Sequence, residues 1–148
     1  MANSPDTSSL PGSSPKTPSW SDRYAVGIEI IDQQHQRLFR LIDQLAWGID
    51  AGKSEKVLTS IFDELADYTR SHFATEERLM AESGFPGSAG HGEKHRELES
   101  SLADLVAKAQ RGEPWVSLEA MNFLRLWLYH HIDDTDRRLA DHLIAQKA

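Results

Sequence analysis

Residues 58–79 read LTSIFDELADYTRSHFATEERL, and the places of His72 and Glu76 in this stretch decide the architecture. Leu58, Ile61, Leu65, Tyr68, His72, Glu76 and Leu79 follow one another at steps of three and four, the spacing that lines up one face of an α-helix. The stretch is predicted as the inward face of a helix, with an imidazole and a carboxylate standing where leucine belongs. A buried carboxylate without a partner is strongly unfavourable. The two residues therefore imply a countercharge in the core.

Working outward, the same period recurs on both sides. Ile28, Ile31, His35, Leu38, Ile42, Leu45 and Ile49 predict a first helix over about 30–50, closed by AGKS at 51–54. Ser54 suits the N-cap of the second helix, which covers about 55–82 and stops at SGFPGSAG, where Pro86 and three glycines cannot continue it. A third helix starts near Ala89, carries His91, His95, Leu98, Leu102 and Leu105, and ends about RGEP. A fourth starts near Ser117 and runs through Met121, Leu124, Leu128, His131 and Thr135 to the C-terminus. No stretch alternates with period two. The expectation is an all-α, antiparallel up-down-up-down four-helix bundle over residues 20–148. Residues 1–19, MANSPDTSSLPGSSPKTPS, hold four of the six prolines and six serines. They carry no apolar signal segment and are predicted to be a disordered extension.

Each helix interrupts its apolar stripe with metal-binding residue types. His35 lies on the first, His72 and Glu76 on the second, His91 and His95 on the third, and His131 on the fourth, with Asp136 five residues on. Five of the seven histidines thus face the core, too many buried polar groups to be explained by ordinary packing. His130 rivals His131, although it points about 100° away on a helix, and Asp133 and Asp134 rival Asp136. An i, i+5 pair is out of phase in a regular α-helix, so a bulge is predicted near 132–136. Seven donors exceed the four of a tetrahedral zinc, and calcium or magnesium would take an all-oxygen shell. Two metals bridged by Glu76 and Asp136 fit better. With a hydroxide or oxide as third bridge, five histidines dividing three and two leave one metal six-coordinate and the other with a vacant position.

The elements VGIEIIDQQHQRL around His35, HFATEE at 72–77, GFPGSAGHGEKH at 84–95 and WLYHHIDDTD at 127–136 make the chain resemble the hemerythrin family, specifically its bacterial single-domain members. The resemblance covers roughly Trp20 to His142. It implies a non-haem di-iron site that binds dioxygen reversibly, and the family spacing favours His131 and Asp136 over their neighbours. By the same resemblance His91, His95 and His131 hold the coordinatively complete iron, His35 and His72 hold the iron where oxygen docks, and Glu76 and Asp136 bridge the pair. Leu38, Phe73, Trp127 and Leu128 lie within a turn of these residues and are expected to wall an oxygen pocket. Glu77, Glu93 and Glu97 face outward by phase and are expected to be solvated. His142 lies too far along the axis to join, at about 16 Å from His131.

The bulk numbers narrow the function classes. A net charge of −7 without a basic cluster argues against nucleic acid or an anionic membrane as partner. No run reaches the ~20 apolar residues of a membrane span. With no cysteine, thiol catalysis, disulfides and iron–sulfur clusters are excluded. No glutamate has a histidine three residues on, the pattern of ferritin-like di-iron oxidases. The expected function is oxygen storage, transport or delivery by a cytoplasmic monomer that is not an enzyme, with an oxygen-consuming enzyme as a candidate recipient. The alternatives are a stand-alone oxygen or redox sensor acting through a protein partner, and a di-iron peroxidase or oxidase.

Overall fold

The computed structural model describes residues 18–113 and 118–147. The tail over 1–17 and the predicted helix start at Ser117 lie outside them. Four long helical stretches form the bundle, and no strand occurs among the described residues. They are α1 (Glu29–Asp50), α2 (Glu55–Ser83), α3 (Ser88–Gln110) and a fourth stretch in three parts. That last stretch runs as α4 (Leu118–His130), a π-helical turn (His131–Asp136) and α5 (Arg137–Lys147). The bulge expected from the His131–Asp136 spacing is therefore present. A turn with about 4.4 residues lets i and i+5 share a face, which 3.6 per turn does not.

Short connections make sequential neighbours antiparallel. The Ser54 hydroxyl accepts from the Val57 amide at 3.2 Å to start α2. Gly84, at φ 66°, ends α2 in the left-handed region that glycine enters without strain. In this arrangement, residues early in α1 and α3 meet residues late in α2 and in the π turn. That is how His35, His72, Glu76, His91, His95, His131 and Asp136, scattered over a hundred positions, come to one end of the core. The other end is closed by apolar side chains such as Leu45, Phe62, Leu102 and Met121.

Two details differ from the sequence expectation. On α2, Ile61, Tyr68 and Leu79 are only half-buried, while Phe62, Ala66, Thr69, Phe73 and Met80 are buried. Because α2 packs on both α1 and α3, its buried arc is wide and its middle runs one residue along from the predicted stripe. Ser19, assigned to the tail, is held against the bundle. Its amide donates to Asp43 at 2.8 Å, Arg125 donates to its hydroxyl at 2.8 Å, and the Tyr129 hydroxyl donates to its carbonyl at 2.7 Å. These bonds also give the buried Asp43 its partners. No described helix is long and apolar enough to cross a membrane.

Candidate metal centre

The seven predicted donors converge on one point, and all seven are buried. They fall into two sets. In the larger, Nε2 of His91 and His95 lie 3.1 and 3.0 Å from Glu76 Oε1. Nε2 of His91 and His131 each lie 3.0 Å from Asp136 Oδ1, and the His95 and His131 Nε2 atoms are 3.1 Å apart. His131 Nε2 and Glu76 Oε1 stand further apart, at 4.0 Å. In the smaller set, His72 Nε2 is 3.1 Å and His35 Nε2 3.5 Å from Glu76 Oε2, and His35 Nε2 is 2.8 Å from Asp136 Oδ2. Each carboxylate thus turns one oxygen to each set.

These separations can be tested against a cation's requirements. Donors about 2.1 Å from a common octahedral centre are ~3.0 Å apart when adjacent and ~4.2 Å apart when opposite. The larger set of five donors fits that pattern, with neighbouring donors 3.0–3.1 Å apart and His131 Nε2 standing across from Glu76 Oε1 at 4.0 Å. The smaller set has four donors. Most of the short approaches around Asp136 and His35 are not hydrogen bonds. Both Asp136 oxygens, Glu76 Oε2 and the Nε2 atoms of His35 and His72 are buried without a hydrogen-bond partner among the described residues. Buried polar atoms left unbonded are strongly unfavourable, and lone pairs aimed together at one point are what a cation satisfies. Each set has the donor types and spacing of a cation site.

The charges agree. Burial opposes charging His35 and His91, yet the Asp136 and Glu76 carboxylates lift both imidazoles to about 9. Burial likewise raises Glu76, and the surrounding imidazoles, His72 foremost, bring it well below the usual carboxylate range. Asp136 is pushed up by burial and by Glu76, and His131 and His35 more than reverse this. Without a cation, the two carboxylates are therefore balanced by protons on His35 and His91. A cation must displace those protons, so uptake at pH 7 is expected to release about two of them, one from each imidazole. Affinity should rise from pH 6.5 toward 9 and then level off. Calorimetry in two buffers of different ionisation enthalpy reads this directly, and identical heats in both would refute it.

Aromatic rings hold the imidazoles in place. Phe73 lies flat on His95, with centroids 3.7 Å apart and planes at 4°, and Trp127 stacks on His131 at 4.5 Å and 16°. His130 is exposed. Asp133 and Asp134 are exposed too, paired with Arg137 and Arg138 at 3.7 and 3.0 Å. His142 caps the end of α2 through the Ser83 carbonyl at 3.0 Å. Among the expected pocket residues, Leu38, Phe73 and Leu128 line an apolar cavity of about 20 Å³ beneath the site, enough for one very small molecule. Trp127 stands apart from it. One position before Leu128, it is turned about 100° around the helix and lines a surface cleft between α3 and α4 with Lys94 and Glu97.

Glu77 corrects the expectation that it is merely solvated. It is one-third exposed and accepts from His95 Nδ1 at 2.9 Å. The sequence reading also missed Gln34, which accepts from His72 Nδ1 at 2.6 Å. Their one available signal was position, each adjoining a candidate donor residue in the chain.

Comparison with known proteins places this geometry. A family model described as "Hemerythrin HHE cation binding domain" matches residues 26–143. Bacteriohemerythrin of Stenotrophomonas maltophilia is 36% identical over 126 residues, covering 85% of this chain and 81% of that protein. The hemerythrin-like protein of Naegleria gruberi is 31% identical over 120 residues, covering 81% and 88%. A crystal structure of wild-type hemerythrin superposes with a TM-score of 0.78 at 28% identity, covering 84% of this chain and 95% of that one. The matched stretch encloses every donor from His35 to Asp136, and on that footing the chain belongs to the hemerythrin family.

Proposed function

We propose that the two donor sets hold two iron ions and that the protein takes up dioxygen reversibly, for its storage, transport or delivery. The observation that carries this reading is the inequality of the sets, five donors against four, joined by both oxygens of Glu76 and of Asp136. Two irons held by His91, His95 and His131 on one side and His35 and His72 on the other, with Glu76 and Asp136 between, would supply the electrons that hold dioxygen. The chain's own residues do the rest. Five imidazoles bring no charge of their own when they act as ligands, so the site is less anionic than carboxylate-rich sites. A less anionic site favours ferrous iron and allows release. Leu38, Phe73 and Leu128 wall the apolar cavity beneath the donors, and an apolar wall there suppresses protonation and loss of reduced oxygen species. Thr69, the polar group in that wall, has its hydroxyl committed to the Leu65 carbonyl at 2.8 Å.

The test is optical titration of the anaerobically reduced, iron-loaded protein with dioxygen. A spectral change that reverses on purging with argon, over repeated cycles, is the expected result. Irreversible oxidation at every oxygen encounter would overturn it. Sustained turnover with a reductant or peroxide would replace it with the enzymatic reading.

A further inference from the structure

Among the described residues, the Nδ1 atoms of His95 and His72 are supported by chemically different groups. His95 turns Nε2 into the larger set, so its Nδ1 carries the proton and donates to Glu77 at 2.9 Å. Glu77 is an anion, bound in turn by Arg96, which also holds Glu99 at 2.7 Å. His72 turns Nε2 into the smaller set and donates from Nδ1 to Gln34 at 2.6 Å. Gln34 is neutral, and its orientation is locked. Its amide nitrogen donates to Thr75 Oγ1 at 3.3 Å, and the Thr75 hydroxyl donates to the Ser71 carbonyl at 3.2 Å.

A proton shared with an anionic acceptor leaves more electron density on the far ring nitrogen, whereas a neutral amide leaves less. We propose that Glu77 and Gln34 are positioning residues that make the two halves of the site unequal donors. Glu77, through His95, stabilises the more highly charged metal state; Gln34, through His72, stabilises the less charged one. Arg96 attenuates Glu77 by competing for the same oxygen. The inference rests on the di-iron reading for its redox consequence, and on hydrogen-bond geometry alone for its origin.

The arrangement is tested with Glu77→Gln, Arg96→Gln and Gln34→Glu. Arg96 is more than half exposed, so its replacement leaves the fold intact. Iron content is measured first, then the oxidised-to-reduced ratio at a fixed electrochemical poise. The ratio is expected to rise in Arg96→Gln and Gln34→Glu and to fall in Glu77→Gln, with at least ~10-fold between Arg96→Gln and Glu77→Gln. A merely structural role would move Arg96→Gln and Glu77→Gln the same way. That result, or equal ratios at full iron content, overturns the proposal.

A second readout needs no iron. In the zinc-loaded protein the His95 Nδ1–H proton resonance is expected furthest downfield in Arg96→Gln, intermediate in the unmodified chain and furthest upfield in Glu77→Gln. Failure of the unmodified protein to bind iron would count against the di-iron reading. The zinc series then decides the present inference, and an unchanged resonance across it refutes the inference.

Discussion

Replacing Glu76 by glutamine is expected to abolish retention of the metal pair while leaving the bundle folded. Glu76 Oε1 lies 3.1 and 3.0 Å from the His91 and His95 Nε2 atoms, and Oε2 lies 3.1 and 3.5 Å from those of His72 and His35. Among the described residues, Asp136 is the other side chain with donor atoms in both sets. The amide keeps the volume, so no cavity opens in the core. It removes the negative charge, however, and turns an NH₂ group toward lone pairs that must face a cation. Loss of a residue that merely supports a ligand costs ~10–100-fold in metal affinity, so loss of a bridging ligand should exceed ~100-fold. Metal analysis after competition with a chelator measures this, with the exposed Glu97→Gln as control. Two metals retained by Glu76→Gln, with unchanged affinity, would refute the proposed bridge.

Metal removal is the second large effect. Five buried polar atoms that face the cluster, Nε2 of His35 and His72, Oε2 of Glu76 and both oxygens of Asp136, have no hydrogen-bond partner among the described residues. In the folded state these atoms are held together at the expense of their hydration, and a cation that binds only that state stabilises it by mass action. At a free concentration ~1,000 times the dissociation constant, the gain is ~4 kcal/mol. For a chain of this size each kcal/mol moves the melting temperature by about 3–4 °C, so stripping the metal should lower it by about 12–16 °C. Thermal unfolding followed by circular dichroism, with and without prior chelation, is the measurement. Coincident curves would mean that the cluster is already satisfied within the protein.

Much of this architecture was visible in the chain. Steps of three and four from Leu58 to Leu79 and from Ile28 to Ile49 marked helices because helical period is a local property. The His131–Asp136 spacing called for a distortion for the same reason, since a regular helix cannot put i and i+5 on one face, and a π turn stands there. What escaped the reading had its cause elsewhere in the fold. Asp43 reads as an ordinary polar residue of α1 until Ser19 and Arg125 reach it from elsewhere. Glu77 points outward by phase, but α3 lies close enough beside α2 for His95 to meet it. Trp127 and Leu128 look alike as neighbours of the site, and the opening between α3 and α4 separates their surroundings.

The sequence alone determined which residue types share a helical face and in what order along it, because φ and ψ repeat within each segment without reference to the others. The tertiary structure alone decided which carboxylate oxygen meets which imidazole and which groups stand behind His72 and His95. Those matters depend on how each helix is rotated about its axis and how far it is shifted along its neighbour. Differences of a few tenths of an ångström there separate a cation site from a set of buried polar groups, and a periodic pattern does not carry them.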